Sequence, residues 1–496
     1  MPPTFHFVLR LAALLIGCNI GSALAAQITG GPMLGHITSR TAEIWLQTDA
    51  AAELRIEYWP AARPQQRLRG PTVRLDAASD FAGRISLVGL QPDTGYAYQV
   101  YLDGEPALPG STLTFETHRP WQGRGSPADF SFYLGSCAYI NDPAVDRPGR
   151  PYGGGYRIFQ SIARQVADTE RPQFMLWLGD NVYLREADYE SPWGINARYR
   201  HARSLPELQT LLAALPHYAI WDDHDYGPND ANRSFVFKDE SLRLFRRYWA
   251  NPSYGLEELP GTFTTFTFQD ADFFLLDNRY YRAADRTELA KEELDLIREA
   301  RDWALGQNPI TRLLGRRYFG APPALLGENK VMFGTEQLDW LKQALIQSRA
   351  TFKFVAAGSQ LMNDGHPFEG WHNFPAEREP FLAWLKRQNI PGVVFLSGDR
   401  HQTELLRREI KDFYPLYELT CSPLTSSART PQDKEVNNPL RVKETLVTQR
   451  NYCSIDVAGP AGERRLVLRS HDSDGRLLWE RVLRATELRR PEPAKD

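Results

Sequence analysis

Three apolar runs in this chain end in residues that can bind cations. Phe174-Met175-Leu176-Trp177-Leu178 leads into Gly179-Asp180-Asn181-Val182-Tyr183. Tyr218-Ala219-Ile220-Trp221 leads into Asp222-Asp223-His224-Asp225, and Val393-Val394-Phe395-Leu396-Ser397 into Gly398-Asp399-Arg400-His401. Runs of this kind are core strands, and a carboxylate at the end of one needs a cation or ligand to offset its desolvation. Three tips rich in Asp and His, converging at one sheet edge, predict a polynuclear metal site.

Each tip contributes differently. Gly179 lets the backbone turn sharply, and Asp180 can bridge two cations with its two oxygens. Tyr183 offers a phenolate, a hard anionic ligand that favours Fe(III) over zinc. The competing reading is a tyrosine packed at the sheet edge with its hydroxyl on the backbone. Asp222 to Asp225 crowd three carboxylates and an imidazole, which repel by several kcal/mol at an effective dielectric of about 20 unless cations intervene. An exposed acidic turn is the alternative. His224 and Asp225 are the catalytic candidates here, with His224, flanked by acids, suited to general-acid work near neutral pH. Asn229 and Asp230 follow with oxygens of the type calcium prefers. Asp399 and His401 fall on one side of an extended segment. Cys137 closes the run Phe130 to Ser136, either as a thiolate ligand or as a buried inert thiol.

The elements that must position these residues form an α/β arrangement. A helix near Tyr156 to Ala167 places Ile158, Ile162 and Val166 on one face. Helices at 337–345 and 377–388 precede strands at 352–356 and 393–397, so strand and helix alternate. Segments near 416–419, 454–457 and 466–468 alternate and are expected to close this part as antiparallel strands. Ahead of it, residues 27–119 read as short alternating strands of a small sandwich. Leu90-Gln91-Pro92-Asp93-Thr94-Gly95-Tyr96 suits a tyrosine corner. Residues 120–128, rich in Pro and Gly, are the linker, the α/β part spans 129–486, and 487–496 is an expected disordered tail.

The 496 residues carry a net charge of −3, which gives no electrostatic case for nucleic acid as a partner. Twelve Trp and twenty-one Tyr suit packing in a β-rich protein. Residues 1–25 read as an export signal, with Arg10, an apolar stretch from Leu11 and a small-x-small site at Ala23-Leu24-Ala25. Leu15-Ile16-Gly17-Cys18 offers a second reading, a lipoprotein anchor through Cys18. No later segment is long and apolar enough to span a bilayer. The expected location is periplasmic or extracellular.

Ser136-Cys137, Leu178-Gly179-Asp180-x-x-Tyr183, Trp221-Asp222-Asp223-His224-Asp225, Leu276-Asp277-Asn278-Arg279-Tyr280-Tyr281-Arg282 and Ser397-Gly398-Asp399-Arg400-His401 together resemble the PhoD-type alkaline phosphatases of the calcineurin-like metallophosphatase superfamily. The N-terminal segment resembles a fibronectin type III domain. The resemblance implies a two-sheet β-sandwich flanked by helices, with metals at the strand tips. It implies Fe(III) held by Cys137, Asp180 and Tyr183, with Ca2+ nearby and other divalent metals as alternatives. Asp180 would bridge, and Asp223, Asp399 and His401 would complete the shell, with Asn229 as a further ligand. Two departures stand out. The N-terminus lacks the paired arginines of many members, and a Pro/Gly-rich stretch from Asn141 to Gly155 is placed to form a loop over the pocket.

The expected activity is hydrolysis of phosphate esters by a metal-activated hydroxide, with Arg279 and Arg282 as candidates to clamp phosphate oxygens. Surface ion pairs are the other reading of these arginines. Phosphodiesterase or phospholipase-D-like chemistry at the same site is the enzymatic alternative. A calcium-stabilised surface-binding protein is the alternative of another class. With Cys137 assigned to metal, Cys421 and Cys453 remain, and both flank segments of the closing antiparallel region. A disulfide between them would close a loop of about thirty residues, worth roughly 3 kcal/mol in the chain-entropy model. Two separate buried thiols are the alternative.

Overall fold

The computed structural model describes residues 25–122, 125–146, 151–284, 330–366, 369–432 and 435–491. Residues 1–24 of the expected export signal, including Cys18, residues 147–150 of the Pro/Gly-rich stretch and the last five residues of the tail lie outside these.

Two six-stranded sheets face each other. The first runs His217–Ile220, Gln173–Leu178, Phe130–Gly135, Asn451–Ala458, Arg465–Asp472, Leu477–Arg484. Its first three strands are parallel and its last three antiparallel. The second runs Thr264–Phe268, Ala271–Leu275, Phe352–Ala357, Val393–Ser397, Leu416–Thr420, Glu404–Arg408, parallel in the middle and antiparallel at both edges.

Alternation along the strands decides where the core sits. Phe132, Leu134, Phe174, Leu176 and Leu178 point between the sheets, and Tyr133, Met175 and Trp177 point outward. Between the sheets, Phe132 stacks on Phe174 at 5.1 Å and meets Phe354 edge-on at 5.1 Å. The outer faces are covered by helices, as in other layered α/β proteins. Helix Arg157–Ala167 buries Ile158, Phe159, Ile162, Ala163 and Val166, including the three residues its spacing predicts. Helices Thr335–Gln347 and Pro375–Gln388 cover the second sheet with Leu338, Leu341, Leu345, Phe381, Leu382 and Leu385.

One expectation needs correction. Leu416–Thr420 does not share one antiparallel region with Asn451–Ala458. It lies antiparallel to Glu404–Arg408 and parallel to Val393–Ser397 in the second sheet, while Asn451–Ala458 belongs to the first. Cys421 and Cys453 are still bonded, with Cα atoms 6.1 Å apart. They are neighbours across the two sheets rather than within one. The bridge therefore ties the sheets together directly behind the strand tips.

Residues 28–116 form an all-β sandwich that fits a fibronectin-like domain. Ile28–Ile37, Thr41–Thr48 and Ala82–Val88 make one sheet. Leu68–Leu75, Ala52–Pro60, Gly95–Leu102, Glu105–Pro106 and Leu113–Glu116 make the other. Tyr96 turns its hydroxyl back to accept the Gln91 N–H at 2.9 Å, closing the corner that the Leu-x-Pro-x-Thr turn predicts. The sandwich is docked on the α/β part. Met33, Trp45 and Ala82 join the helical core of the first sheet, Trp45 Nε1 donates to Arg247 O at 2.8 Å, and Tyr248 OH donates to buried Asp80 at 2.6 Å.

Candidate metal centre

The parallel strands all end at the same edge, and their tips carry the predicted residues. Open sheets of this kind bind ligands beyond the carboxyl ends of their strands. The tips approach closely because glycines stand where they meet. A Cβ on Gly398 would lie 2.3 Å from Leu178 O, and one on Gly179 would lie 2.7 Å from Asp222 Cβ. Four candidate ligands then adopt left-handed backbone: Cys137 at φ 58°, Asp180 at 52°, Asp399 at 68° and His401 at 55°. Non-glycine residues in this region are uncommon, and their clustering marks a functional site.

Cys137, Asp180 and His401 form a first buried group, with donor atoms within 4.8 Å of one another. Cys137 Sγ lies 3.5 Å from Asp180 Oδ2. Tyr183 OH lies 3.0 Å from Asp180 Oδ2 and 3.1 Å from His401 Nε2. His401 Nδ1 lies 2.7 Å from the Ser427 carbonyl, so Nδ1 carries the ring proton and Nε2 turns a lone pair inward. The tyrosine thus has one proton for two acceptors.

Asp180, Asp223 and His224 form a second group, and Asp222, Asp223 and Glu369 a third. Asp180 is shared by the first and second groups, which is the position a bridging carboxylate requires. His224 stacks on the Tyr183 ring at 4.2 Å. Asp399 directs Oδ2 toward His366 Nε2 at 3.7 Å without a hydrogen bond. Among the described residues, Asp222 Oδ2 and Asp223 Oδ1 are likewise buried without hydrogen-bond partners, with Arg279 Nη2 3.7 Å from Asp223 Oδ1. Orphaned buried oxygens of this kind are rare in proteins unless an ion or water satisfies them.

Burial acts on the whole cluster. It pushes the Asp180 carboxyl well above the usual range, with Asp223 and Cys137 adding to it. It pushes Cys137 up to about 11, raises Tyr183 strongly, raises Asp399 to about 7 and lowers His401 to about 3. Asp223 is the exception. Burial raises it, but His224 and Arg279 more than offset that and hold it below the usual carboxylate range. A desolvated acid set of this kind ionises only beside cations, so the residues present fit a metal centre.

Other predicted residues do different work. Asp225 accepts from the N–H groups of Asn181 at 3.0 Å, Val182 at 3.3 Å and Asp222 at 3.0 Å. Both its oxygens are thereby spent on tying two ligand-bearing turns together. Arg279 and Arg282 are fully buried rather than on the surface. Arg279 is paired with Asp222 and Glu369, and Arg282 lies 3.2 Å from Glu369 Oε2. Asn229 is not brought into the cluster. It is exposed, while the next residue, Asp230, donates its N–H to Asp223 Oδ2 at 2.8 Å. Of the stretch from Asn141 to Gly155, Tyr152 reaches the centre, with its OH 3.1 Å from His401 Nδ1.

Glu369, His366 and Asn278, whose Nδ2 donates to Asp222 Oδ1 at 2.8 Å, escaped the sequence reading as site residues. Glu369 and His366 follow the tip of Phe352–Ala357, a strand the sequence does reveal. Following that tip as the others were followed points to this loop.

The PhoD-like phosphatase family matches residues 132–461, two thirds of the sequence. The chain belongs to this family. A domain of unknown function, DUF7800, matches residues 25–120 of the same PhoD-like chain. Alkaline phosphatase D of Bacillus subtilis is 25% identical over 352 residues, covering 63% of this chain and 52% of the relative. The chain thus spans about half the length of that relative. Among solved structures, one of PhoD superposes with a TM-score of 0.65 at 18% identity, covering 91% of both chains. A purple acid phosphatase, PPD1 from yellow lupin seeds, superposes with a TM-score of 0.62 at 11% identity, covering 91% of this chain and 74% of that one. At these identities the two structures speak for the fold.

Proposed function

We propose that this protein is an exported, metal-dependent phosphoesterase of the alkaline phosphatase type. Cys137, Asp180, Tyr183 and His401 would hold Fe(III). Asp180, Asp223 and Asp399 would hold Ca2+ beside it. The observation that carries the reading is the convergence of thiol, carboxyl, phenol and an imidazole lone pair at the tips of separate strands. Three of these four donors are anionic when deprotonated, which suits a trivalent ion, whereas a plain calcium site needs only oxygens. The PhoD-like family match and the relative named alkaline phosphatase D support the choice of phosphate esters.

When bound, the cations would neutralise phosphate oxygens and lower the pKa of a water nucleophile. The protein's own groups do the rest. Asp225 fixes the turns that carry Asp180 and Asp222. Arg279 and Arg282 are committed to carboxylates, so they position the acidic wall instead of clamping substrate. His224, beside Asp180 and Asp223, is the group set to return a proton to the leaving alkoxide. The Cys421–Cys453 bridge supports an oxidising compartment, in keeping with the expected signal over residues 1–25.

The test pairs metal analysis of protein purified from its native compartment with assays on phosphate monoesters and diesters. Iron with calcium and hydrolysis of either ester class is the expected result. Fully active, zinc-only protein would remove the iron assignment, and failure on both ester classes with metal in place would end the phosphoesterase reading.

A further inference from the structure

Beside the centre a cavity of about 670 Å³ opens among Arg400, Gln402, Arg429, Thr430, Gln432 and Glu435. That is the size of a small-molecule site. Its two arginines differ. Arg400 is buried and paired with Glu435 at 2.7 Å. Arg429 is exposed, and among the described residues no carboxylate lies within ion-pair distance of its guanidinium, which lies near Tyr152 and Asp399. Its backbone N–H donates to His401 O at 2.8 Å. Tyr152 OH in turn sits 3.1 Å from His401 Nδ1. The Arg429 guanidinium, with no carboxylate of the described residues in ion-pair contact, is therefore held one contact from a candidate metal ligand and lines an open cavity.

We propose that Arg429 is a specificity-determining residue that binds a second anionic group, a carboxylate or phosphate carried on the alcohol part of the ester. The proposal rests on the phosphoesterase reading for where the scissile phosphate sits. The metal centre takes that phosphate, and the esterified group has the adjoining cavity to occupy. A planar guanidinium offers forked donors that match a carboxylate or phosphate. Esters with an acidic alcohol part are thus the favoured substrates.

Binding can be read without turnover. Benzylphosphonate and 3- or 4-carboxybenzylphosphonate cannot be hydrolysed and are titrated by calorimetry into the metal-loaded protein. The wild type should bind a carboxylated compound at least about tenfold more tightly, as a charge-assisted hydrogen bond provides. Arg429→Met should lose that preference and Arg429→Lys should keep part of it, with melting temperatures matching the wild type. Equal affinity for all compounds in the wild type, no binding of any, or a preference that survives in Arg429→Met would overturn the proposal. Hydrolysis of 4-nitrophenyl phosphate is measured in parallel. Hydrolysis without the binding preference sinks only the Arg429 role, and the preference without hydrolysis of any ester sinks only the phosphoesterase reading.

Discussion

The corner of the site built from Cys137, Asp180, Tyr183 and His401 contrasts with the adjacent corner built from Asp222, Asp223 and Glu369. Both are buried acid clusters at strand tips. In the second, the protein supplies its own cation: Arg279 is paired with Asp222 and Glu369, and Arg282 joins at Glu369. In the first, no described cation forms an ion pair with the four residues, Arg429 standing nearby without one, and burial drives the thiol, carboxyl and phenol toward their neutral forms. The second corner draws much of its counter-charge from the fold, and the first draws little, so a bound metal would matter most there. A buried acid is therefore poor grounds for assigning a metal until its counter-charge has been found.

The largest effect should come from the residue shared between groups. Asp180→Asn should lower turnover by at least about a thousandfold, as loss of a central electrostatic group does. Metal content should fall while circular dichroism stays native. Wild-type activity with normal metal content would remove Asp180 from the centre.

Arg279→Met should break the balance of the second corner. It strands two buried carboxylates, a loss of about 3–5 kcal/mol. Thermal unfolding should show the drop, and excess Ca2+ should recover part of it by taking the place of the guanidinium. A variant as stable as the wild type would mean that the two corners do not differ as described.

Tyr183→Phe is milder, because three donors remain. Phenolate ligation to Fe(III) should colour the wild-type protein, and the variant should bleach or shift that absorption band. An unchanged spectrum would take Tyr183 out of the metal shell.

The smallest effect concerns acids and bases far from either corner, and it sets the background against which they are measured. Burial lowers His36 to about 4, and burial with the nearby His36 lowers His118 to about 4. In the unfolded chain both titrate near 6.5. Below that value the unfolded state binds protons that the fold refuses. The stability gained from keeping both neutral is thus complete above pH 6.5 and is lost as pH falls toward 4. Melting temperature should drop by about a few degrees between pH 7 and 5.5, and less in a His36→Gln, His118→Gln double variant.

Much of this was legible in the residues. Apolar runs ending in Asp or His gave the strands and the edge where they meet, because periodicity and turn chemistry are local signals. The helix at Arg157–Ala167 was legible from three apolar residues on one face. What stayed hidden depends on distant pairing. Arg279 looked available for substrate because nothing in its neighbourhood announces Glu369, ninety residues away. Asn229 was suggested as a ligand by its place just after the acidic run and by the family resemblance, but the turn after the short helix Asp223–Tyr226 leaves it exposed. The sheet to which Leu416–Thr420 belongs stayed hidden because a short buried strand carries no local mark of the partners it will pair with.

The left-handed backbone at Cys137, Asp180, Asp399 and His401 gives these positions a small vocabulary. Asp, Asn and His enter that region several-fold more readily than most side chains, and Cys has no such advantage. Divergence at the three Asp and His positions would be narrowed twice, by the donor a bound cation would require and by the shape the chain must keep. At Cys137 the two demands conflict, and the thiol stands there at a conformational cost. An alanine scan across the four would mix lost ligation with added strain. Asn at 180 or 399 keeps the conformation and removes the charge, so it reads the chemistry alone.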